Sequence, residues 1–188
     1  MLFRSRSVSE LGEVRETRWA DWVRAAEDPR HAADRPESLE GLLVLDCSIA
    51  NYGGHVLAGF LGELGAEVVK LEPPGGDPGR AWGPADVSIG GEGLAYLAEG
   101  RNRHYATLDL SAAEGQEIFR QLATRADVVI EGFPPGQMDA WGIGYRQLAP
   151  LNPRVIYVAL STHGQFGPRS DGSGPEYGPR FSSCHVRV

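Results

Sequence analysis

Charged side chains in this sequence cluster at the ends of aliphatic runs, and those are the positions where they could do chemistry. Lys70 and Glu72 flank the end of the run EVVKL, and Asp77 and Arg80 follow in a Gly/Pro-rich stretch. Lys and Arg so placed can hold phosphate oxygens, the guanidinium as a fork and the ammonium as a point charge. A second basic cluster, Arg101 to His104, precedes a later run. One such charge is ordinarily a solvated surface group, but two clusters at strand borders suggest a ligand rim. After the first run, LLVLD, comes CSIANYGGHV. Gly53 and Gly54 would let backbone N–H groups at a helix start approach an anion closely, although a plain strand-to-helix turn explains them equally well. The G-x-G-x-x-G spacing of a dinucleotide site is absent. His55, His104 and His163 lack metal-ligand spacing and read as structural or exposed. With no G-x-S-x-G elbow and no Ser-His-Asp order, a nucleophile would have to be a carboxylate. Asp171 and Glu176, in the loop GPRSDGSGPEYGP, are the late acids, and an acid in such a loop ordinarily only aids solubility.

The elements that must position these groups alternate regularly. Five aliphatic runs, LLVLD, EVVKL, ATLDL, DVVIE and VIYVAL, read as strands, and their near-continuous apolarity implies a sheet covered on both faces. Between the first two, Val56, Leu57, Phe60, Leu61 and Leu64 recur at helical spacing. Ser111 with Glu114 forms a capping-box pattern, and Ile118, Phe119 and Leu122 would be the buried stripe of the next helix. Short helices are predicted around Met138 and Trp141 and over Tyr145 to Leu148. The stretch Pro73 to Gly93, with seven glycines and four prolines, is too rich in breakers for regular structure and reads as a functional loop. Near the N-terminus Leu11, Val14, Trp19, Trp22, Val23 and Ala26 suggest one amphipathic helix before a polar linker. No sixth strand or helix is readable after Ser161. The alternation predicts an α/β fold with a doubly wound, Rossmann-like parallel sheet, whose ligands should sit beyond the carboxyl ends of the strands.

A length of 188 residues, with 41% hydrophobic and 23% charged, suits one globular domain. The net charge of −7 argues against a general nucleic-acid or anionic-membrane binder. No apolar run reaches the roughly 18 residues of a membrane span, and charges stand where a signal peptide would be apolar, so a cytoplasmic location is expected. Cys47 and Cys184 show neither metal nor disulfide spacing and are expected to be free thiols.

Taken together, LEGLLVLDCS, LGELGAEVVKLEPPGGDPGR, RNRHYATLDL, ADVVIEGFPPGQMDAWGIGYRQLAPLNPRVIYVAL and STHGQFGP resemble the successive signatures of class III CoA-transferases. That family includes formyl-CoA transferase, carnitine CoA-transferase and alpha-methylacyl-CoA racemase. The resemblance implies a CoA site lined by Asn51, Tyr52, Lys70, Glu72, Arg80, Arg103 and Phe133, with Arg103 replacing a lysine of the family's N-R-G-K segment. The family's E-N-F-R-P-G turn stands here as Glu131 to Gly136 without its Asn and Arg. The implied activity moves CoA between an acyl-CoA and a carboxylic acid through an enzyme carboxylate. CoA is then a substrate, with no tightly bound cofactor and no metal. Counting from Pro168 places that carboxylate at Glu176, whereas a P-x-Y-D anchoring puts the position at Gly178 and leaves no acid there. The implied division is an extension over 1–38, the family's N-terminal α/β domain over 39–177 and a tail over 178–188 that does not resemble the family. Family members form interlocked two-domain dimers, so the resemblance implies a truncated or frame-shifted relative, with a homodimer only if the second half is supplied. An inactive CoA-binding fragment and an acyl-CoA racemase or isomerase are the alternative readings.

Overall fold

The computed structural model describes residues 37–84, 87–168, 170 and 183–188. The aliphatic runs form strands β1 (Leu43–Cys47), β2 (Glu67–Glu72), β6 (Val128–Glu131) and β7 (Ile156–Ser161). Helix α1 (Tyr52–Glu63) crosses from β1 to β2, and α3 (Ala113–Ala123) leads into β6. The short helices α4 (Gln137–Ala140) and α5 (Tyr145–Leu148) precede β7. None of the described helices is long and apolar enough to cross a membrane.

Several elements differ from the sequence reading. The third large strand is β5 (His104–Thr107), and ATLDL contributes only its first two residues to it. All four β5 residues are exposed, because β5 is an edge strand and has no apolar run to announce it. The Pro73–Gly93 stretch is not wholly irregular. It holds a 3-10 turn (Pro78–Ala81) and a two-residue hairpin, β3 (Ser88–Ile89) with β4 (Glu92–Gly93), which feeds helix α2 (Leu94–Glu99). The Ser111 capping box does not form. Ala112 is the cap of α3, and Asp109 instead accepts from both the backbone N–H and the hydroxyl of Ser111, at 2.9 and 2.6 Å. A sixth strand, β8 (Ser183–Arg187), pairs antiparallel with β7. It covers backbone groups that an edge strand would otherwise leave unpaired, a tertiary gain with no local sequence signal.

The six-stranded sheet runs β5-β2-β1-β6-β7-β8, parallel throughout except at β8. Strand alternation divides the core in two. Leu45, Cys47, Leu71, Val129, Tyr157 and Ala159 pack with Phe119, Met138, Ile143 and Leu148, on the side of α3 to α5. Val44, Val68, Val128, Ile130, Val158 and Leu160 pack with Ala58, Leu57 and Leu61, on the side of α1. Chain order reverses between β1 and β6, which makes the carboxyl ends of these two strands the topological switch point where open α/β sheets take their ligands.

Candidate functional site

At the switch point the loop after β1 meets the turn after β6. Asn51 caps α1, its Oδ1 accepting from the N–H of Gly54 at 3.1 Å. Its side chain lies against Gly132, where an added Cβ would stand 2.7 Å from Asn51 Nδ2 and would force the Asn51 side chain to move. Beside this junction opens a cleft of about 170 Å³ lined by Ile49, Leu71, Pro73, Leu108, Leu110, Phe133 and Trp141, with Asp109 and Ser111 at its polar end. Phe133 and Trp141 meet edge to face, with centroids 5.1 Å apart. A mostly apolar cleft with few polar groups at a switch point is the usual form of a small-molecule site. Aromatic edges of this kind suit a flat ring.

The charged residues singled out in the sequence sit elsewhere. Lys70 is fully buried, within 3.2 Å of Asp77 Oδ2 and 3.6 Å of Asp46 Oδ2, and its ammonium donates to the carbonyl of Ser48. The Arg103 side chain is equally buried. It pairs with Asp46 Oδ2 at 3.2 Å and donates to the carbonyls of His55 and Glu99. Both therefore lie inside the protein on the α1 side and not on a rim. Strand parity is the reason. Asp46, Lys70 and Glu72 alternate with the cleft-side residues Leu45 and Leu71, so they face α1 and α2. His55 joins the same interior network through Asp77, Nε2 to Oδ2 at 3.1 Å. Against its burial, the hydrogen bond with His55, then Lys70 and the N–H groups of Gly79 and Ala50, hold the Asp77 carboxyl well below the usual carboxylate range.

Glu72 is buried and occupied. It accepts from Arg80 Nε at 2.9 Å and from the Tyr96 hydroxyl at 2.6 Å. Arg80 is a third exposed, lies over the rings of Tyr96 and Tyr105, and also pairs with Glu92. Tyr52 is half exposed and stands next to Trp82, with ring centroids 6.1 Å apart. Of the seven predicted binding residues, Phe133 lines the cleft, Asn51 and Tyr52 flank the loop beside it, and the other four belong to the charge networks. Glu176, Gly178 and Asp171 lie outside the described residues.

Sequence reasoning did not find Leu108, Leu110 and Trp141 as cleft residues, since a search for charge passes over apolar walls. The signal available was their place just beyond the ends of two parallel strands. Glu131, at the carboxyl end of β6, was also passed over. Burial pushes its carboxyl up to about 8, against the opposing N–H of Phe133, and Asp139 adds to the rise.

Comparison with known proteins agrees with this architecture. The model of CoA-transferase family III matches residues 39–179. The chain is 42% identical over 138 residues to the succinyl-CoA–L-malate CoA-transferase alpha subunit of Chloroflexus aurantiacus, covering 72% of this chain and 32% of that one. It is 37% identical over 152 residues to human succinyl-CoA:glutarate CoA-transferase, covering 78% and 33%. A crystal structure of a CAIB/BAIF family protein from Brucella suis superposes with a TM-score of 0.68 at 34% identity, over 74% of this chain and 37% of that one. The chain spans about a third of the length of the curated relatives it matches. With the family model covering most of its length and the switch-point fold in common with a solved relative, this chain belongs to CoA-transferase family III.

Proposed function

We propose that this chain is the CoA-binding part of a CoA-transferase that moves CoA between an acyl-CoA thioester and a carboxylic acid. The observation that carries the reading is the apolar cleft at the switch point of a sheet that lacks a dinucleotide fingerprint, in a chain whose relatives are named as succinyl-CoA transferases. Residues 39–177 make the binding domain, CoA is a substrate and no resident cofactor is invoked. Phe133 is proposed to touch the ligand, with Asn51 holding the neighbouring turn at Gly132 and Tyr52 exposed at the start of α1. Lys70, Glu72 and Arg103 support it from behind, and Arg80, a third exposed and paired with Glu72 and Glu92, is the cation proposed for a phosphate.

The proposed chemistry runs through an enzyme carboxylate. It attacks the thioester carbonyl, the C–S bond breaks, and CoA leaves as the thiolate from a mixed anhydride. The thiolate then attacks the enzyme's own carbonyl, expelling the donor carboxylate and leaving a CoA thioester on the protein for the acceptor acid to resolve. Glu176 is the position proposed for that carboxylate, and in the alternative register Gly178 leaves the chain without one. Full exchange is proposed to need sequence corresponding to the rest of the relatives' length, as a homodimer.

The test is to fill the cleft. Leu108→Trp should weaken CoA binding about tenfold or more by calorimetry, since stacking and apolar contacts of one ring are worth about 1–3 kcal/mol, while leaving the thermal midpoint within a few degrees. Undiminished CoA affinity in Leu108→Trp would remove the cleft from consideration. An acyl-exchange assay run alongside, with Glu176→Gln, separates the two functional readings. Exchange lost in that variant marks an enzyme, and CoA binding without exchange marks a binding module.

A further inference from the structure

The interior charges that do not reach the cleft have a definite geometric relation to it. Ile49 is the residue through which the β1–α1 loop lines the cleft. The backbone on either side of it is fastened by the two members of one buried ion pair. The Lys70 ammonium holds the carbonyl of Ser48, and Asp77 Oδ1 accepts from the N–H of Ala50 at 2.9 Å. The pair itself is closed at 3.2 Å, with both side chains fully buried. Asp77 Oδ1 also accepts from Gly79 N–H at 2.7 Å, and Oδ2 is held by His55, so the carboxylate is itself rigidly placed. Ala50 has φ of 47°, a left-handed conformation that a residue with a Cβ adopts only where its surroundings enforce it.

We infer that Lys70 and Asp77 are positioning residues, a clamp across Ile49 that enforces the strained turn at Ala50 and so sets the wall of the cleft without touching the ligand. This rests on the reading of the cleft as the CoA site. A clamp of this kind gives a reason for keeping the carboxylates of Asp46 and Asp77 with the cations of Lys70 and Arg103 in a buried interior. A buried ion pair is a poor source of stability, and a recognised use of one is to fix a unique arrangement. It also gives the breaker-rich loop after β2 a task, that of delivering Asp77 to the preceding loop 27 residues earlier.

The test titrates free CoA calorimetrically into the full chain and three variants. Asp77→Ala removes the acceptor for Ala50 and is expected to raise the Kd at least about tenfold. Asp77→Asn keeps an amide oxygen for Ala50 and Gly79 but sets an NH2 where Oδ2 faced Lys70 and His55, so its Kd should rise at least about threefold less than that of the Ala variant. Adding Ala50→Gly to Asp77→Ala removes the cost of the positive φ and should recover at least about threefold of the loss. Equal weakening in the Ala and Asn variants, or no recovery from the glycine, would overturn the clamp and leave Asp77 as a neutralising partner for Lys70. Should Asp77→Ala unfold, amide exchange at Ala50 decides. In Asp77→Asn it should remain as slow as in β1, and fast exchange there overturns the proposal. Wild-type chain that binds no CoA fails the reading of the cleft instead, and the exchange measurement still tests the clamp by itself.

Discussion

Glu131 ends β6 at the switch point, its carboxylate accepts from Phe133 N–H at 2.7 Å, and its carboxyl is pushed up to about 8 chiefly by burial. The unfolded chain releases that proton near its ordinary value of 4.5, while the folded chain keeps it until about 8. Folded protein binds the extra proton in this window, so stability falls as pH rises from about 4.5 to about 8. Glu131→Gln cannot ionise and should melt higher than wild type at pH 9, with the gap closing at pH 5. The gap at pH 9 should be at least about 1 kcal/mol, since each tenfold difference in proton affinity between folded and unfolded chain is worth about 1.4 kcal/mol. Parallel melting curves across that range would show the carboxyl ionising freely. Asp77 has the opposite sign. Its carboxyl is held low, so its contribution is complete above the ordinary value of 3.8 and is lost as pH falls below it. At this scale the sequence showed which residues were charged but not what they faced. Lys70 reads as a phosphate ligand from its neighbours in sequence, and it takes the pairing of β1 with β2 to turn it inward toward Asp46 and Asp77.

Among the elements, α3 buries Phe119 together with its small residues and leaves its two large aliphatic ones outside. Gly115, Phe119 and Ala123 form the buried face, while Ile118 is 48% exposed and Leu122 sits at the surface. A Cβ at Gly115 would lie 1.8 Å from the carbonyl oxygen of Asp109, so the first turn of α3 rests directly on backbone. Gly115→Ala should therefore cost about 2 kcal/mol or more, as overpacking against an immovable group does. Ile118→Lys should change stability by no more than about 0.5 kcal/mol. Urea denaturation of the two variants checks both, and a large loss in Ile118→Lys would mean that this face is covered. Helix α1 behaves alike, burying Gly54, His55, Ala58 and Gly59 beneath exposed Phe60. Hydrophobic periodicity thus located both helices and was right about part of each stripe: Phe119 of α3 and Leu57 and Leu61 of α1 pack on the core, while Ile118, Leu122, Phe60 and Leu64 stand exposed because close helix-to-sheet contact favours small side chains at the remaining positions. The interior strands were legible since burial on both faces writes an unbroken aliphatic run, as in VVI of β6. Of the edge strands, β5 was legible only through the two residues it shares with ATLDL, and β8 not at all. Their pairing is dictated by a neighbour's free backbone groups, which leave no pattern in HYAT or SCHVR.

On the scale of the whole molecule, apolar exposure and net charge oppose one another. Tyr52 and Phe60 stand 50% and 57% exposed on α1, and Leu64, the residue that caps its end, 48%, more apolar surface than an isolated residue presents. The chain also carries a net charge of −7, and like charge keeps copies apart at low ionic strength. Salt shortens the range of that repulsion, to about 8 Å at physiological strength, but leaves apolar attraction intact. Association of this chain should consequently increase with salt, the reverse of what an interface built on ion pairs would do. Sedimentation velocity at two salt concentrations measures this directly. Phe60→Lys should restore the monomer at both, with an unchanged circular dichroism spectrum, because Phe60 is more than half in solvent and little core packing is lost. A wild-type chain that stays a monodisperse monomer in high salt would show that this apolar surface is too weak to bring copies together. Association that falls with salt would place the contact on charged residues instead, the Arg101–Glu63 pair beside the same helix being the first to examine.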